Sequence, residues 1–440
     1  MSAEEVIGIL MSLTAISSYL NYRYVKFPKS IGLILITLLL SFMIGLSGKL
    51  GWDVEGFAIH LLDGIGFTET FLHGMLGYLL FAASLHVNTR ELAKHKTIVG
   101  LLATVSVLLS TIIVGFGTYA LTQFLNIDIP LAYCLVFGAL ISPTDPISVL
   151  GILKTVNAPK GLEMKIAGEA LFNDGMGIVL FAMLLDVAIG GDNAAYSLKE
   201  SMIHFLKVFL TQGLGGVLLG LVIGWLAASL LRTIDNYEVA ILLTLGTVAG
   251  GHAFAHSIVH VSGPVCMAVA GLSVGGLLQK GSMSRDSLRR LSAFWEVLDA
   301  VLNSLLFVTI GLEFLTLTFT SDTVLASIGA IVIAIVARWI SVIIPVGSVS
   351  MFRKFSSGIV LLMTWGGLRG GISIALALSI PDGTVRDFIV SITYAVVLFS
   401  ITVQGLTLGS LVKKVSRCGG TPEKLLVEVL LPQLVVDKPA

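Results

Sequence analysis

Ser142-Pro143-Thr144-Asp145-Pro146 lies in one apolar segment, 130–153, and Glu169-Ala170-Leu171-Phe172-Asn173-Asp174-Gly175 lies in the next, 164–190. Each segment exceeds the roughly 20 residues that cross a bilayer. Each also carries a carboxylate that hydrocarbon excludes, at a cost of roughly 2.5–3.5 kcal/mol for an aspartate at a helix centre. In the first segment, Pro146 has no N–H to donate and Pro143 disfavours helix just before it, so the helix is expected to stop beside Asp145. Irregular backbone at membrane depth survives only where protein or a watery cavity satisfies its freed polar groups. A broken helix beside a midplane acid is therefore a way to offer oxygens to a cation. The plainer alternative is that both acids are structural, paired or hydrogen-bonded between helices.

Outward from this stretch, the 440-residue chain is 55% hydrophobic and 12% charged, against about 25% charged in a soluble domain. That makes it an all-α polytopic membrane protein. Counting apolar segments gives thirteen spans, near 5–22, 30–47, 69–87, 97–123, 130–153, 164–190, 201–231, 236–257, 259–279, 291–313, 323–346, 357–380 and 387–412. Residues 51–66 could add an interfacial helix, and the division between the eighth and ninth spans is the weakest. Residues 1–412 form the membrane domain and 413–440 a short tail, in which 424–434 could be amphipathic. Net charge is zero, no soluble domain is large enough to matter, and no nucleic-acid partner is expected. The start, Met1-Ser2-Ala3-Glu4-Glu5, lacks the basic region of a cleaved signal peptide. Cys134, Cys266 and Cys418 imply no disulfide framework.

Basic residues orient the chain. Alternate loops, beginning with Arg23, Lys26 and Lys29, hold sixteen Lys and Arg, whereas the intervening loops hold Lys49, Lys199 and Arg386. The positive-inside rule puts the first set in the cytoplasm, with the N-terminus outside and the tail inside.

The twelfth span contains Thr364-Trp365-Gly366-Gly367-Leu368-Arg369-Gly370-Gly371, where four glycines around an arginine predict a second broken helix. Spans 5 and 12 correspond if spans 1–6 and 8–13 are inverted repeats, and paired breaks then mark a site between the halves. Glu169 and Asn173 share a helix face, with Asp174 about 100° further round. Two carboxylates, Asp174 and Asp145, with carbonyls freed near Thr144, suit a hard cation such as Na⁺, by extension from divalent ions. Arg338, at the depth of Glu169, and Arg369 each need a partner. Glu169 with Arg338 is the expected structural pair, and Arg369 is expected at the helix crossing near Asp145 or its carbonyls. The swapped pairing is the alternative. Lys207 is expected to snorkel. Glu296, Asp299 and Asn303 form a polar stripe that could line an ion path or bond to neighbouring helices. His252, His256 and His260 recur at four-residue spacing; zinc binding, pH sensing and plain packing are all open readings, packing the plainest.

At this point the sequence resembles the monovalent cation/proton antiporters, in their NhaP-like branch. Ser142-Pro143-Thr144-Asp145-Pro146, Gly168-Glu169 with Asn173-Asp174-Gly175, His260-Val261-Ser262-Gly263-Pro264, Phe294-Trp295-Glu296 leading to Asn303-Ser304-Leu305-Leu306-Phe307, and Gly366-Gly367-Leu368-Arg369-Gly370 are all similar to its signatures. The resemblance implies a thirteen-span homodimer in a bacterial or archaeal cell membrane, with a core that includes 130–190 and 323–380 moving against a dimerisation scaffold. It implies exchange of Na⁺ (or Li⁺, K⁺) for H⁺ without a cofactor. Asp174 would carry proton and cation, with Asp145, the Thr144 backbone and Asn173 nearby, and Glu169 and Arg338 as a buried pair. Asn173 stands where electrogenic relatives have a second aspartate, which implies electroneutral exchange. Ala170 departs from the serine or threonine of many relatives and leaves cation preference open, including a K⁺-preferring exchanger.

Two other classes compete. An intramembrane aspartyl protease would also place two acids on successive helices, but no Gly-x-Gly-Asp precedes the second acid and two arginines go unexplained. A channel would need no proton coupling, and paired broken helices around one acid suit alternating access better.

Overall fold

The computed structural model describes residues 2–49, 70–94, 96–155, 160–190, 207–279, 283–317, 320–350 and 358–417, with positions 56, 58, 61 and 64. The suggested interfacial helix at 51–66, Lys199, Lys280, Cys418 and the amphipathic stretch 424–434 lie outside the described residues or largely so. Every described element is helical and none is a strand.

Helix α1 is Ala3–Leu20 and α2 is Lys29–Lys49. After Thr70–Met75 come α3, Leu76–Leu85, and the short α4, Thr89–Lys94. Then follow α5, Lys96–Phe124, α6, Leu131–Ile141, α7, Pro146–Thr155, and α8, Lys160–Gly190. The middle of the chain forms α9, Gly215–Leu231, α10, Tyr237–Ala253, and α11, Gly263–Leu278. The last third holds α12, Arg285–Glu313, α13, Ser321–Ser350, α14, Ile359–Trp365, α15, Gly371–Leu378, α16, Thr384–Phe399, and α17, Gly405–Arg417.

Among the described residues, eight helices are long and apolar enough to cross a membrane, and Leu76–Leu85, Leu131–Ile141 and Gly263–Leu278 are shorter apolar helices. The chain is an integral membrane protein. A count of thirteen crossings further requires α1, the short helices and the two interrupted ones to be counted as spans. Several boundaries move from their expected places. Helix α8 begins at Lys160, and α13 runs through Pro345 to Ser350. A membrane helix tolerates such a proline because nearby groups can satisfy the backbone it frees. Helix α17 carries the final span to Arg417, so Lys413 and Lys414 belong to its last turns.

Small residues bring the helices together. Gly216, Gly220 and Gly224 form one face of α9, where an added Cβ would press on the Ser262, Cys266 and Ala270 carbonyls of α11. Gly271 and Gly275 on α11 repeat this against the Phe81 and Leu85 carbonyls of α3. Such seams replace the hydrophobic drive that lipid removes. Cys134 and Cys266 are buried free thiols. One apolar cluster spans α5–α8 and α12–α17 with α1–α3; a second joins α9–α11 to Phe81 and Trp295.

Candidate functional site: a cleft at the crossing of two interrupted helices

Residues 142–145 separate α6 from α7, and residues 366–370 separate α14 from α15. The two breaks bond to each other. The Asp145 N–H donates to the Leu368 carbonyl at 2.6 Å. The Arg369 guanidinium donates to the Ser142 carbonyl, and to that of Pro143 at 3.0 Å. These carbonyls lie at the C-terminal end of α6, where a helix leaves acceptors unsatisfied and its dipole favours a cation. Asp145 instead stands just before α7, with Pro146 at the first helical position, where an acid is favoured. An added Cβ at Gly370 would come within 2.8 Å of the Asp145 Cβ, so close approach of the breaks requires glycine there.

Two further ties hold α8 and α13 to the crossing. Arg338 donates to Glu169 Oε1 at 2.5 Å and to the Met363 carbonyl through Nε at 3.3 Å and Nη2 at 3.2 Å. Met363 is in the last turn of α14, so Arg338 joins a buried acid to a second set of C-terminal carbonyls. Both charges are buried, with Glu169 1% and Arg338 5% exposed. Asn173 uses both ends of its amide: Nδ2 donates to Thr144 Oγ1 at 2.8 Å, and Oδ1 accepts from the Thr144 N–H at 3.4 Å. Gly177, one turn on, faces Pro143 with no space for a Cβ. The Arg369 N–H is held by Ser400 Oγ at 2.9 Å, in the π-helical turn Ser400–Gln404.

Asp174 is the fifteenth residue of the 31-residue α8, whose length of about 46 Å puts it at the middle. It is buried. It faces a cleft of about 50 Å³ shared with Asp145 and Thr144 of the first break. The opposite wall brings Asn303 from α12 and Gly370 and Ser373 from the second break and α15. Leu80 and Phe307 are among the apolar walls. Two carboxylates, a hydroxyl and an amide thus meet at mid-membrane in a cleft with room for a small cation.

Glu169 meets Arg338 rather than Arg369, and Arg369 binds the carbonyls of the first break. Of the polar stripe on α12, Asn303 reaches the cleft, Asp299 is partly buried and Glu296 is exposed. The histidines do not converge. His252 is buried between Gly77 and Gly263, whereas His256 and His260 are exposed. The chain between them adopts the π-turn Phe254–Val259, so four-residue spacing no longer keeps one face. Among the described residues no group of three His, Cys, Asp or Glu could hold a metal. Lys207 is exposed. Ser373 escaped the sequence reading, since an isolated serine in an apolar helix gives no signal; its place three residues beyond the second break is the only clue.

Comparison with known proteins bears on what such a cleft does. Residues 9–414 match the family model described as sodium/hydrogen exchanger, transmembrane. The chain is 39% identical to the Na⁺/H⁺ antiporter NhaP of Pseudomonas aeruginosa, over 93% of this chain and 96% of that one. It is 34% identical to the Na⁺/H⁺ antiporter NhaH of Halobacillus dabanensis, with the same coverage. Its fold matches the sodium proton antiporter MjNhaP1 of Methanocaldococcus jannaschii with TM-score 0.74, at 21% identity, over 94% of this chain and 99% of that one.

Proposed function

The chain belongs to the transmembrane sodium/hydrogen exchanger family, and from that membership we propose that it exchanges Na⁺ (or Li⁺, K⁺) for H⁺ across a cell membrane. The observation that carries this reading is the placement of Asp174 and Asp145 in one mid-membrane cleft beside two interrupted helices. Asp174 binds either a proton or the cation. Asp145 and the oxygens at Thr144 share the ion's charge, and the crossing gives the cleft a rigid frame. Glu169 and Arg338 hold that frame together, and Arg369 satisfies the carbonyls that the first break exposes. Asn173 is neutral and bonded to Thr144, so one charge crosses in each direction and exchange is electroneutral. A family of exchangers is one of transporters, and the protease reading has no observation in its favour.

Alternating access follows if the elements within 130–190 and 323–380 move as a core against the remaining helices, which would also provide the surface of a homodimer. The charge asymmetry supports an external N-terminus and a cytoplasmic C-terminus in a bacterial or archaeal cell membrane.

The test is proton flux in proteoliposomes with Na⁺, Li⁺ and K⁺ offered in turn. Wild-type protein should acidify or alkalinise the lumen according to the imposed cation gradient. Asp174→Asn keeps the shape but can neither release a proton nor offer a negative ligand, so its flux should fall to that of empty liposomes. Robust cation-dependent flux in that variant would remove Asp174 from its role.

A further inference from the structure

The wall of the cleft opposite α8 contains a residue whose orientation is fixed from outside it. Asn303 Nδ2 donates to the Asp299 carbonyl at 2.9 Å and to Asp299 Oδ1 at 3.0 Å. Both its N–H bonds are thereby committed to the preceding turn of α12. Reversing the amide would set its oxygen against those two acceptors, so Asp299 decides which end of the amide turns the other way. The end left for the cleft is Oδ1, an acceptor with no donor of its own. Asn303 is 6% exposed and lines the cleft with Asp174 and Asp145. A carbonyl oxygen turned toward two carboxylates repels them unless a cation lies between.

The α8 wall supplies little besides Asp174. The Asn173 amide is used by Thr144, and Ala170 offers a methyl group. Hard cations are held by several oxygens, six or more in the well-characterised calcium sites. One oxygen from each carboxylate, with the Thr144 and Ser373 hydroxyls, falls short of that number. Lys29 steadies the anchoring turn from outside, its ammonium donating to the Ala300 carbonyl at 2.9 Å.

We propose that Asn303 is a ligand of the transported cation, oriented by Asp299, and that this pair helps to set which cation the protein prefers. The inference rests on the exchange site being the cleft described above. A neutral carbonyl oxygen contributes to binding in the cation-loaded state and nothing to the protonated one. Removing it should weaken cation affinity while leaving proton release at Asp174 intact.

The experiment uses the full chain in proteoliposomes, with initial exchange rates measured against Na⁺, Li⁺ and K⁺ concentration. Asn303→Ala should raise the apparent constant for Na⁺ about tenfold, the equivalent of about 1.4 kcal/mol. It should change the order or ratio of the three constants and alter the maximal rate far less. Should the alanine variant fail to insert, Asn303→Gln, which displaces the oxygen by one methylene, is expected to show the same split. Asp299→Ala, which leaves only the backbone carbonyl to hold the amide, should move the constants the same way by about threefold, and Asp299→Asn, which retains a side-chain acceptor for Nδ2, should recover most of that loss. Unchanged constants for all three cations in Asn303→Ala would overturn the ligand assignment. Equal behaviour of Asp299→Asn and Asp299→Ala would overturn the positioning role. Asp174→Asn is assayed alongside: if it still exchanges, the cleft itself is misassigned; if it is inactive while Asn303→Ala is normal, only the present proposal fails.

Discussion

At the scale of the residue, charge buried in the membrane is tolerated here only where it is tied down. Arg338 bonds Glu169 and the Met363 carbonyl together, so the two residues differ in what their loss exposes. Glu169→Ala leaves a guanidinium with one carbonyl partner. Arg338→Ala leaves a buried carboxylate unpaired and strips that carbonyl as well. Removing one member of a buried pair costs roughly 3–5 kcal/mol, and Arg338→Ala should sit at the upper end. The double variant should lose less than the sum, because no lone charge remains; thermal unfolding in detergent, read as a double-mutant cycle, checks this. Additive losses would mean that the two contribute independently. Much of this was legible in the sequence, because acids and arginines in apolar segments declare themselves and helical depth suggests who can meet whom. Helical depth gave Arg338 and Glu169 as the expected pair but could not exclude Arg369. The carbonyls that receive Arg338 and Arg369 belong to the backbone, which leaves no mark in a residue code. The commitment of Asn173 to Thr144 was hidden for a related reason: it depends on where one helix breaks relative to another.

At the scale of the element, the fold turns on two helices that stop and resume at mid-membrane. Pro143 and Pro146 announced the first break and Gly366–Gly367 with Gly370–Gly371 the second, since each disfavours or fails to enforce helix. Their direct contact could not be read, because residues more than two hundred positions apart show no periodicity. The contact demands glycine at one point. A methyl at Gly370 would meet Asp145 at 2.8 Å and push apart backbones joined by the Asp145–Leu368 bond. Gly370→Ala should therefore cost about 1–3 kcal/mol of stability, as overpacking does, and depress exchange more than that loss alone would. Gly246 and Gly250, on α10, have nothing within 4 Å of an added Cβ. Alanine there should be neutral or stabilising by up to about 1 kcal/mol, from helix propensity. Melting temperature and initial exchange rate, measured on the same preparations, separate the two cases. Equal behaviour of the three variants would mean that the crossing is looser than its bonds imply. The histidine spacing shows the opposite lesson, since a π-turn that no pattern foretold took His256 and His260 off the face of His252.

At the scale of the whole molecule, the proposal that one carboxylate accepts either a proton or a cation imposes a relation between pH and apparent affinity. The cation binds only the deprotonated form, as any carboxylate ligand requires. Below the pKa of that carboxyl, one proton must leave for each ion bound, so each unit drop in pH should raise the apparent cation constant about tenfold. Above the pKa the constant should level off. The maximal rate should change less across the same window, because saturating cation displaces the proton. Charge balance sets a second expectation. Asn173 cannot take up a second proton, and the buried Glu169–Arg338 pair carries no net charge if it moves with the site. If Asp174 alone titrates, one positive charge should cross in each direction, and initial rates in proteoliposomes should be the same with and without a valinomycin-clamped potential. Replacing Asn173 by aspartate would break its donation to Thr144 and add a titrating group to the moving part. If that variant folds, its exchange should become sensitive to the potential while the wild type stays indifferent. A constant independent of pH would contradict competition at a single carboxylate. A clear voltage dependence in the wild type would mean that another charge travels with the cleft, and Asp299, partly buried one turn from Asn303, would be the first residue to examine.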